Sequence, residues 1–240
     1  MKDALLSLED RWLNELGSES DVVISSRIRL ARNILDLPFP SFMKEQEIEV
    51  LFDKVKAASD GLPLDFKFMP LKELTRLERK VSVEKHLISP EQAEVGKGAV
   101  LFNNDRSKSI MLLEEDHLRI QVILPGLNLI EAWKAADEID DGLEEKLDIA
   151  FNEKYGYMTS CPTNVGTGLR ASVMMHLPAL VMTRQINRYL GALSQVGLMV
   201  RGLYGEGTEI IGSLVQISNQ VTLGQGEEEI ITNLSSVIRQ

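Results

Sequence analysis

Five arginines occur in segments whose alternation of apolar and polar residues predicts half-buried β-strands. Arg27 and Arg29 lie two residues apart, so both side chains project from the same face of a strand. Like charges side by side on a sheet are unfavourable unless an anion lies between them. Guanidinium groups in this setting favour planar partners with several oxygens, and phosphate is the best match. The alternative is that each arginine pairs with one of the 36 acidic side chains. That alternative explains one arginine better than five, so we predict a polyphosphate site formed by Arg27, Arg29, Arg119, Arg170 and Arg201.

Residues 161–174 combine the only cysteine of the chain, Cys161, with two closely spaced glycines, Gly166 and Gly168. Glycine allows a positive φ and close backbone approach, so a loop here can wrap an anion or a nucleotide. From Leu169 onwards the residues alternate in character, which predicts a strand with Arg170 on its more polar face. A glycine-rich turn with a buried structural cysteine explains the segment equally well when it is taken alone.

A second glycine-spaced loop follows a predicted strand at residues 201–207. It is neither a Walker A loop nor a Rossmann fingerprint, and alone it is a weak indication of nucleotide binding.

A cluster of carboxylates lies between two apolar strands, at Glu114, Glu115, Asp116 and His117. A carboxylate here could bind a cationic group, act as a base or help to hold Mg²⁺, although an acidic hairpin tip is the simpler interpretation. With three histidines far apart, the sequence predicts no zinc site.

The predicted elements place these residues in a mixed fold. Strands occur in adjacent groups rather than in strict βαβ alternation, which favours an α+β fold with a mostly antiparallel β-sheet flanked by helices. No repeat or linker divides the chain, so we predict a single domain over residues 1–240. Helices are predicted at 4–16, 44–59, around 71–77, 129–147, 178–196 and 227–239, strands at 22–33, 66–69, 98–103, 109–113, 117–124, 169–177, 197–204 and 209–223, and a turn at 89–90.

Composition excludes several classes of protein. The 240 residues carry a net charge of −10, which argues against general nucleic-acid binding. No apolar run approaches the roughly 20 residues needed to span a bilayer, so no membrane partner is expected. The first ten residues lack the apolar core of a signal peptide, and one cysteine cannot form an intramolecular disulfide. A cytoplasmic location is the expectation.

Taken together, five blocks resemble the ATP:guanidino phosphotransferase family, with the bacterial protein-arginine kinases as the most similar branch. The blocks are residues 25–33, 86–90, 114–119, 161–174 and 201–207, and they occur in the family order over nearly the whole chain. The resemblance implies the guanidino-kinase catalytic fold, a glutamine-synthetase-like antiparallel sheet cradled by helices. It also implies that the helical domain that follows the catalytic domain in protein-arginine kinases is absent from residues 1–240.

The resemblance also implies roles for particular residues. Glu115 matches the carboxylate that engages the acceptor guanidinium, Glu114 lies beside it, and Cys161 matches the reactive cysteine of the family. ATP and Mg²⁺ are the implied cofactors. The implied nucleotide-binding residues are Ser25, Ser26, Arg27, Ile28, Arg29, His86, Arg119, Arg170, Ala171, Ser172, Val173, Met174, Arg201, Gly202, Leu203, Tyr204, Gly205 and Glu206.

The implied activity is ATP-dependent phosphorylation of arginine side chains in proteins. In the family this modification marks proteins for a Clp-type protease or inactivates a stress-response repressor, so exposed arginines of proteins, the Clp machinery and a repressor are the implied partners. Two alternatives remain at this point. One is a phosphagen kinase acting on free arginine. The other is a regulatory module that binds a nucleotide or phosphoarginine without turnover.

Overall fold

The computed structural model describes residues 10–183, 185–201 and 212–240, with the backbone alone at 187–190 and 201. Its main feature is an eight-stranded sheet, whose strands are β1 Val23–Arg32, β2 Lys67–Pro70, β3 Ala99–Phe102, β4 Lys108–Leu112, β5 Leu118–Pro125, β8 Leu169–His176, β9 Leu198–Arg201 and β10 Leu214–Asn219. Two further strands, β6 Phe151–Asn152 and β7 Gly156–Tyr157, form a separate hairpin. The order in the large sheet is β2-β3-β4-β5-β1-β8-β10-β9, and every neighbouring pair is antiparallel. The predicted α+β fold with a mostly antiparallel sheet is therefore confirmed.

Eight α-helices occur in the described ranges, and most of them cover one face of the sheet. The longest, α5 (Leu129–Glu144), packs on the central strands β1 and β5, and α8 (Glu227–Arg239) packs on β8 and β10. None of the helices in these ranges has the length and apolar character that crossing a membrane requires. The helices are α1 Arg11–Asn14, α2 Glu45–Ser59, α3 Arg76–Glu84, α4 Pro90–Val95, α5 Leu129–Glu144, α6 Pro178–Met182, α7 Ile186–Gln195 and α8 Glu227–Arg239.

The strand alternation separates an apolar face from a polar face of the sheet. On β1, Ile28 and Leu30 join the main core beneath α5, whereas Arg27 and Arg29 project to the opposite side. A smaller apolar cluster on that opposite side includes Phe102 and Met111 of the sheet and Leu87 of the segment after α3. Residues 71–95 are therefore anchored over one end of the polar face, where they form a wall.

Four local predictions were wrong. The helix expected around 71–77 begins only at Arg76, because the Thr75 hydroxyl accepts a hydrogen bond from the Glu78 N–H (3.3 Å) and caps α3 there, while Leu71–Glu73 form a single 3₁₀ turn. Residues 89–90 are the start of α4 rather than a turn, because the Ser89 hydroxyl accepts a hydrogen bond from the Gln92 N–H (3.2 Å) and Pro90 occupies the first turn. The predicted helix 178–196 is two helices, the first of which ends at Met182, where the following Thr183 donates its hydroxyl to the Ala179 carbonyl (2.7 Å). Finally, the apolar spacing along the predicted helix 129–147 places Ile130 in the core, whereas its side chain is 48% exposed.

A buried ionic cluster fixes the N-terminal segment to the wall beside the polar face. Asp10 is 2% exposed, and its carboxylate contacts Lys85 Nζ at 2.5 Å and Arg106 Nε. Removal of one partner from a buried ion pair leaves an uncompensated charge and costs about 3–5 kcal/mol. We therefore expect Asp10→Ala to lower the free energy of unfolding in urea by about that amount. The exposed Asp21→Ala serves as the control, and similar losses in the two variants would contradict this role for Asp10.

Candidate active site

A cleft of about 870 Å³ lies on the polar face of the sheet. Its floor is formed by side chains of β1, β4, β5, β8 and β10, and its walls come from the segments 83–97, 113–115 and 160–164. The floor is built by register: Arg29 lies opposite Gln121 on β5 and opposite Arg170 on β8. Since residues that pair across strands point to the same face, one row of the sheet delivers two arginines and an amide into the cleft.

The arginines concentrate positive charge on this floor. Burial, followed by the charges of Arg27, Arg119 and Arg170, lowers the pKa of Arg29 well below its ordinary value. Its buried Nε has no hydrogen-bond partner among the described residues. Such a cluster opposes its own assembly unless an anion joins it. The cleft therefore has the positive charge and the hydrogen-bond donors that a polyphosphate site requires.

Arg119 is paired with acids. Its Nη1 lies 2.7 Å from Glu114 Oε2, and its Nη2 lies 3.5 Å from Glu115 Oε2. The alternative considered from sequence, an arginine that pairs with an acidic side chain, thus applies to this residue. Arg119 stands between the cationic floor and the acidic loop, where it connects the two ends of the cleft. Arg170 Nη2 is in turn 3.4 Å from the Asn164 amide oxygen.

His86 projects from the wall formed by residues 83–97. Its backbone is left-handed (φ 56°), its carbonyl accepts a hydrogen bond from Gln121 Nε2 at 2.6 Å, and its ring packs on Trp12 with a centroid distance of 5.2 Å. Burial, with smaller contributions from Arg27 and Arg29, lowers the pKa of His86 to about 3. The imidazole is therefore neutral at physiological pH.

This shift in the pKa of His86 predicts a dependence of stability on pH. The unfolded chain protonates His86 below about pH 6.5, whereas the folded protein resists protonation until about pH 3, so stability falls as the pH is lowered through that interval. Between about pH 7.5 and pH 5 the loss in unfolding free energy from this group is up to about 2 kcal/mol. His86→Asn, which tolerates the left-handed backbone, should lose less stability over the same range. Equal losses, measured by urea unfolding at both pH values, would contradict this account.

The acidic loop and the cysteine loop form the other end of the cleft. Glu115 is 46% exposed at its side chain, while Glu114 is only 10% exposed and accepts a hydrogen bond from the Glu115 N–H at 2.7 Å. The half-buried Cys161 has its sulfur 3.0 Å from the Thr163 hydroxyl. Both Glu115 and Cys161 line the cleft. A cationic group that enters here would meet carboxylates and sulfur on one side and the arginine floor beyond them.

The structure brings together most, but not all, of the side chains expected at a nucleotide site. A second cavity of about 10 Å³ is lined by Ser25, Ser172 and Met174 and shares Arg27 and His86 with the large cleft. Four side chains lie on the opposite, helix-covered face and do not enter the cleft; they are Ser26, Ile28, Ala171 and Val173. Residues 202–206 and the side chain of Arg201 are outside the described part, although the Arg201 backbone pairs with Gln216 of the cleft.

Several polar lining residues were missed from sequence. Gln121, Gln216 and Asn164 all face the cleft. For Gln121 and Gln216 the alternation along the strands contained the information. Gln121 lies on the same face as Arg119 of its own strand, and Gln216 pairs with Met174, which lies on the same face of β8 as Arg170. Asn164 lies in a loop, and no periodicity places it. Across the described ranges, no group of three or more His, Cys, Asp or Glu side chains is arranged to hold a metal ion.

Comparisons with known proteins agree with this geometry. The family model described as "ATP:guanido phosphotransferase, C-terminal catalytic domain" matches residues 47–240. The chain is 54% identical to the protein-arginine kinase of Halothermothrix orenii over all of its own length and 69% of the relative, and 55% identical to that of Symbiobacterium thermophilum over 96% and 67%. It thus spans about two thirds of the length of these relatives.

A solved structure gives the same result at the level of the fold. The duplicated taurocyamine kinase from Schistosoma mansoni, solved with bound components of a transition-state analogue, is 28% identical and superposes with a TM-score of 0.81. The match covers 95% of this chain and 34% of that kinase. The antiparallel sheet with its cationic face, the match over residues 47–240 and the identity above 50% lead to one conclusion. The chain belongs to the ATP:guanido phosphotransferase family.

Proposed function

We propose that this chain transfers the γ-phosphoryl group of ATP to the guanidinium of arginine side chains in proteins. The observation that carries the proposal is the arrangement of a single cleft, with the arginine floor at one end and Glu115 and Cys161 at the other. More than half of the residues are identical to those of relatives named protein-arginine kinase. The 46% exposure of Glu115 leaves the acceptor end accessible to an arginine carried on a protein surface.

The proposed nucleotide end is the part of the floor that contains Arg27, Arg29 and Arg170. Their guanidinium groups would hold the phosphate oxygens and stabilise the charge that spreads over the γ-phosphoryl group as it moves in line between donor and acceptor. Mg²⁺ usually binds one or two carboxylates together with substrate phosphates. When bound together with ATP, the ion would supply charge neutralisation on those phosphates.

At the acceptor end the chemistry must overcome the poor nucleophilicity of a delocalised cation. We assign Glu115 to orient the guanidinium and to accept its proton as the nitrogen–phosphorus bond forms and the bond from the γ-phosphorus to the bridging oxygen of ADP breaks. Cys161 would contact the guanidinium from the same end of the cleft. The phosphoryl group passes directly to nitrogen, so no covalent intermediate on cysteine is required.

The biological setting is a proposal from family resemblance. On that basis the phosphorylated proteins would be substrates of a Clp-type protease or would include a stress-response repressor, and the reaction would take place in the cytoplasm.

The test is to incubate the chain with Mg·ATP and either an unfolded protein or free arginine, and to measure acid-labile phosphate. Transfer to the protein alone supports the proposal, and transfer mainly to free arginine supports a phosphagen kinase instead. Retained ATP binding without transfer to either acceptor would exclude both enzymatic functions and leave a nucleotide-binding module.

A further inference from the structure

A buried polar cluster beneath the acceptor end joins three segments that are distant in sequence. Its members are Asn33, at the end of β1, Asp116 and His117, in the acidic loop, and the backbone of the cysteine loop. The three side chains are 2%, 0% and 0% exposed. None of these side chains lines the cleft, so the proposed reaction leaves their polarity unexplained.

Both the nitrogen and the oxygen of the Asn33 amide make hydrogen bonds in this cluster. Its Nδ2 donates to Asp116 Oδ1 (2.6 Å) and to the Met158 carbonyl (3.0 Å), and its Oδ1 accepts from the His117 N–H (2.9 Å). Its backbone carbonyl accepts from the Ala150 N–H at 2.7 Å. One residue therefore connects the acidic loop to both ends of the segment that leads to Cys161.

Asp116 completes the connection. The same Oδ1 that accepts from Asn33 also accepts from the Ser160 N–H at 2.6 Å. Asp116 is adjacent to Glu115, and Ser160 is adjacent to Cys161. A single buried carboxylate oxygen thus joins the residue next to Glu115 to the residue next to Cys161. The Asn33 amide holds that carboxylate in place.

His117 secures the other side of the cluster. Burial lowers the pKa of its ring, and the neutral ring accepts from the Ile34 N–H through Nδ1 (2.9 Å) while Nε2 contacts the Pro38 carbonyl (2.8 Å). The bond from the Ile34 N–H holds the backbone next to Asn33. The direction of the Asn33 side chain is therefore fixed by this contact as well as by its own hydrogen bonds. Asp116 and His117 are the ionisable side chains of this cluster among the described residues.

We propose that Asn33 is a positioning residue for phosphoryl transfer, which sets the geometry between Glu115 and Cys161 through Asp116. The inference rests on the proposed function of this cleft. It predicts an effect on the acceptor side of the reaction and not on the nucleotide side, because the cluster touches neither Arg27, Arg29 nor Arg170.

The first test is Asn33→Ala in the whole chain, assayed with Mg·ATP and an unfolded protein acceptor. A displacement of about 1 Å at reacting groups can cost about a hundredfold in rate, so we expect a fall in kcat of roughly ten- to a hundredfold with the dissociation constant for ATP within about twofold of wild type. Asn103→Ala is the matched control. Asn103 is similarly buried at 8% and also makes three side-chain hydrogen bonds, but these lie in the β3–β4 turn away from the cleft.

The second test is Asn33→Asp, which keeps the shape and replaces the amide by a carboxylate that faces Asp116. Two carboxylates at hydrogen-bond distance bind one proton in common, and the pair takes it up at a raised pKa. Protonation restores a donor toward Asp116. We therefore expect the kcat of this variant, relative to wild type, to rise as the pH is lowered from about 8 to about 6, a trend that the loss of packing alone does not produce.

Both results must agree for the inference to stand. An unchanged kcat in Asn33→Ala, or an equal loss of ATP affinity and kcat, would overturn it. If Asn33→Ala does not fold, the Asn33→Asp variant decides, and a flat ratio to wild type across pH would count against the inference. Absence of transfer by the wild-type chain itself would instead refute the proposed function.

Discussion

Replacement of Glu115 by glutamine is expected to reduce phosphoryl transfer to a protein acceptor by about 10²- to 10⁴-fold, the usual contribution of a general base. Glutamine keeps the size of the side chain and its contact with Arg119, but it cannot accept the proton that leaves the guanidinium. The arginine floor is untouched by this change. ATP affinity, measured by calorimetry or by displacement of a fluorescent nucleotide, should therefore stay within about twofold of wild type.

Glu91→Gln provides the matched control for Glu115→Gln. Glu91 lines the same cleft but lies on the exposed rim of the wall at residues 83–97, so its replacement removes an equal charge without touching the acidic loop. Comparable losses of transfer in the two variants would mean that the charge of the cleft, and not a positioned base, drives the reaction. Parallel losses of transfer and of ATP affinity in Glu115→Gln would instead indicate that Glu115 has a structural or metal-binding role.

Replacement of Arg29 by methionine is expected to change stability and function in opposite directions. The free protein should gain about 1 kcal/mol in unfolding free energy, because the substitution removes a buried cation that neighbouring arginines repel. Charged hydrogen bonds contribute about 1.5–3 kcal/mol each, so ATP affinity should fall by at least about tenfold. Transfer should fall by about 10³-fold or more, since this guanidinium would stabilise the transferring phosphoryl group. Urea unfolding without ligand, nucleotide titration and the transfer assay measure the three quantities.

The exposed Arg76 supplies the control for Arg29. Arg76→Met makes the same change in charge at the start of α3, outside the cleft. A loss of stability in Arg29→Met, or ATP affinity equal to that of Arg76→Met, would show that the floor is held together by contacts within the protein and does not depend on an anion.

The floor of the site could be predicted because successive side chains of a β-strand point to opposite faces, whichever strands lie beside it. Arg27, Arg29 and Arg170 fall on one face of β1 and β8 from alternation alone, and the register between these strands then brings them together. Alternation does not predict the partner of Arg32, which lies on the opposite face of β1. Its guanidinium is buried in an ion pair with Asp140, 2.5 Å away and 108 positions along the chain. Such pairs depend on tertiary packing and leave no periodic signal.

The helices show the limits of periodicity in another way. Leu129 and Ile130 are adjacent apolar residues at the start of α5, so the pattern does not determine which of them faces the core. The core takes Leu129, Ala132 and Ala136, and the rotation that this implies leaves Ile130 in solvent. Small residues let the helix approach the sheet closely, an effect that a count of large apolar residues does not capture.

The hydrogen bonds made by the Asn33 side chain are likewise absent from any local pattern, because its partners lie 83 and 125 residues away.

The most direct test of the whole account is to identify the bond that carries the transferred phosphate. An unfolded protein acceptor is incubated with the chain and Mg·ATP, and the modified residue is located by phosphorus NMR and by mass spectrometry under non-acidic conditions. We predict a phosphorus–nitrogen bond on arginine side chains of the acceptor, formed by the wild-type chain and formed about 10²- to 10⁴-fold more slowly by Glu115→Gln. Phosphate on a hydroxyl of the acceptor, or held on Cys161 of the chain itself, would contradict direct transfer to the guanidinium.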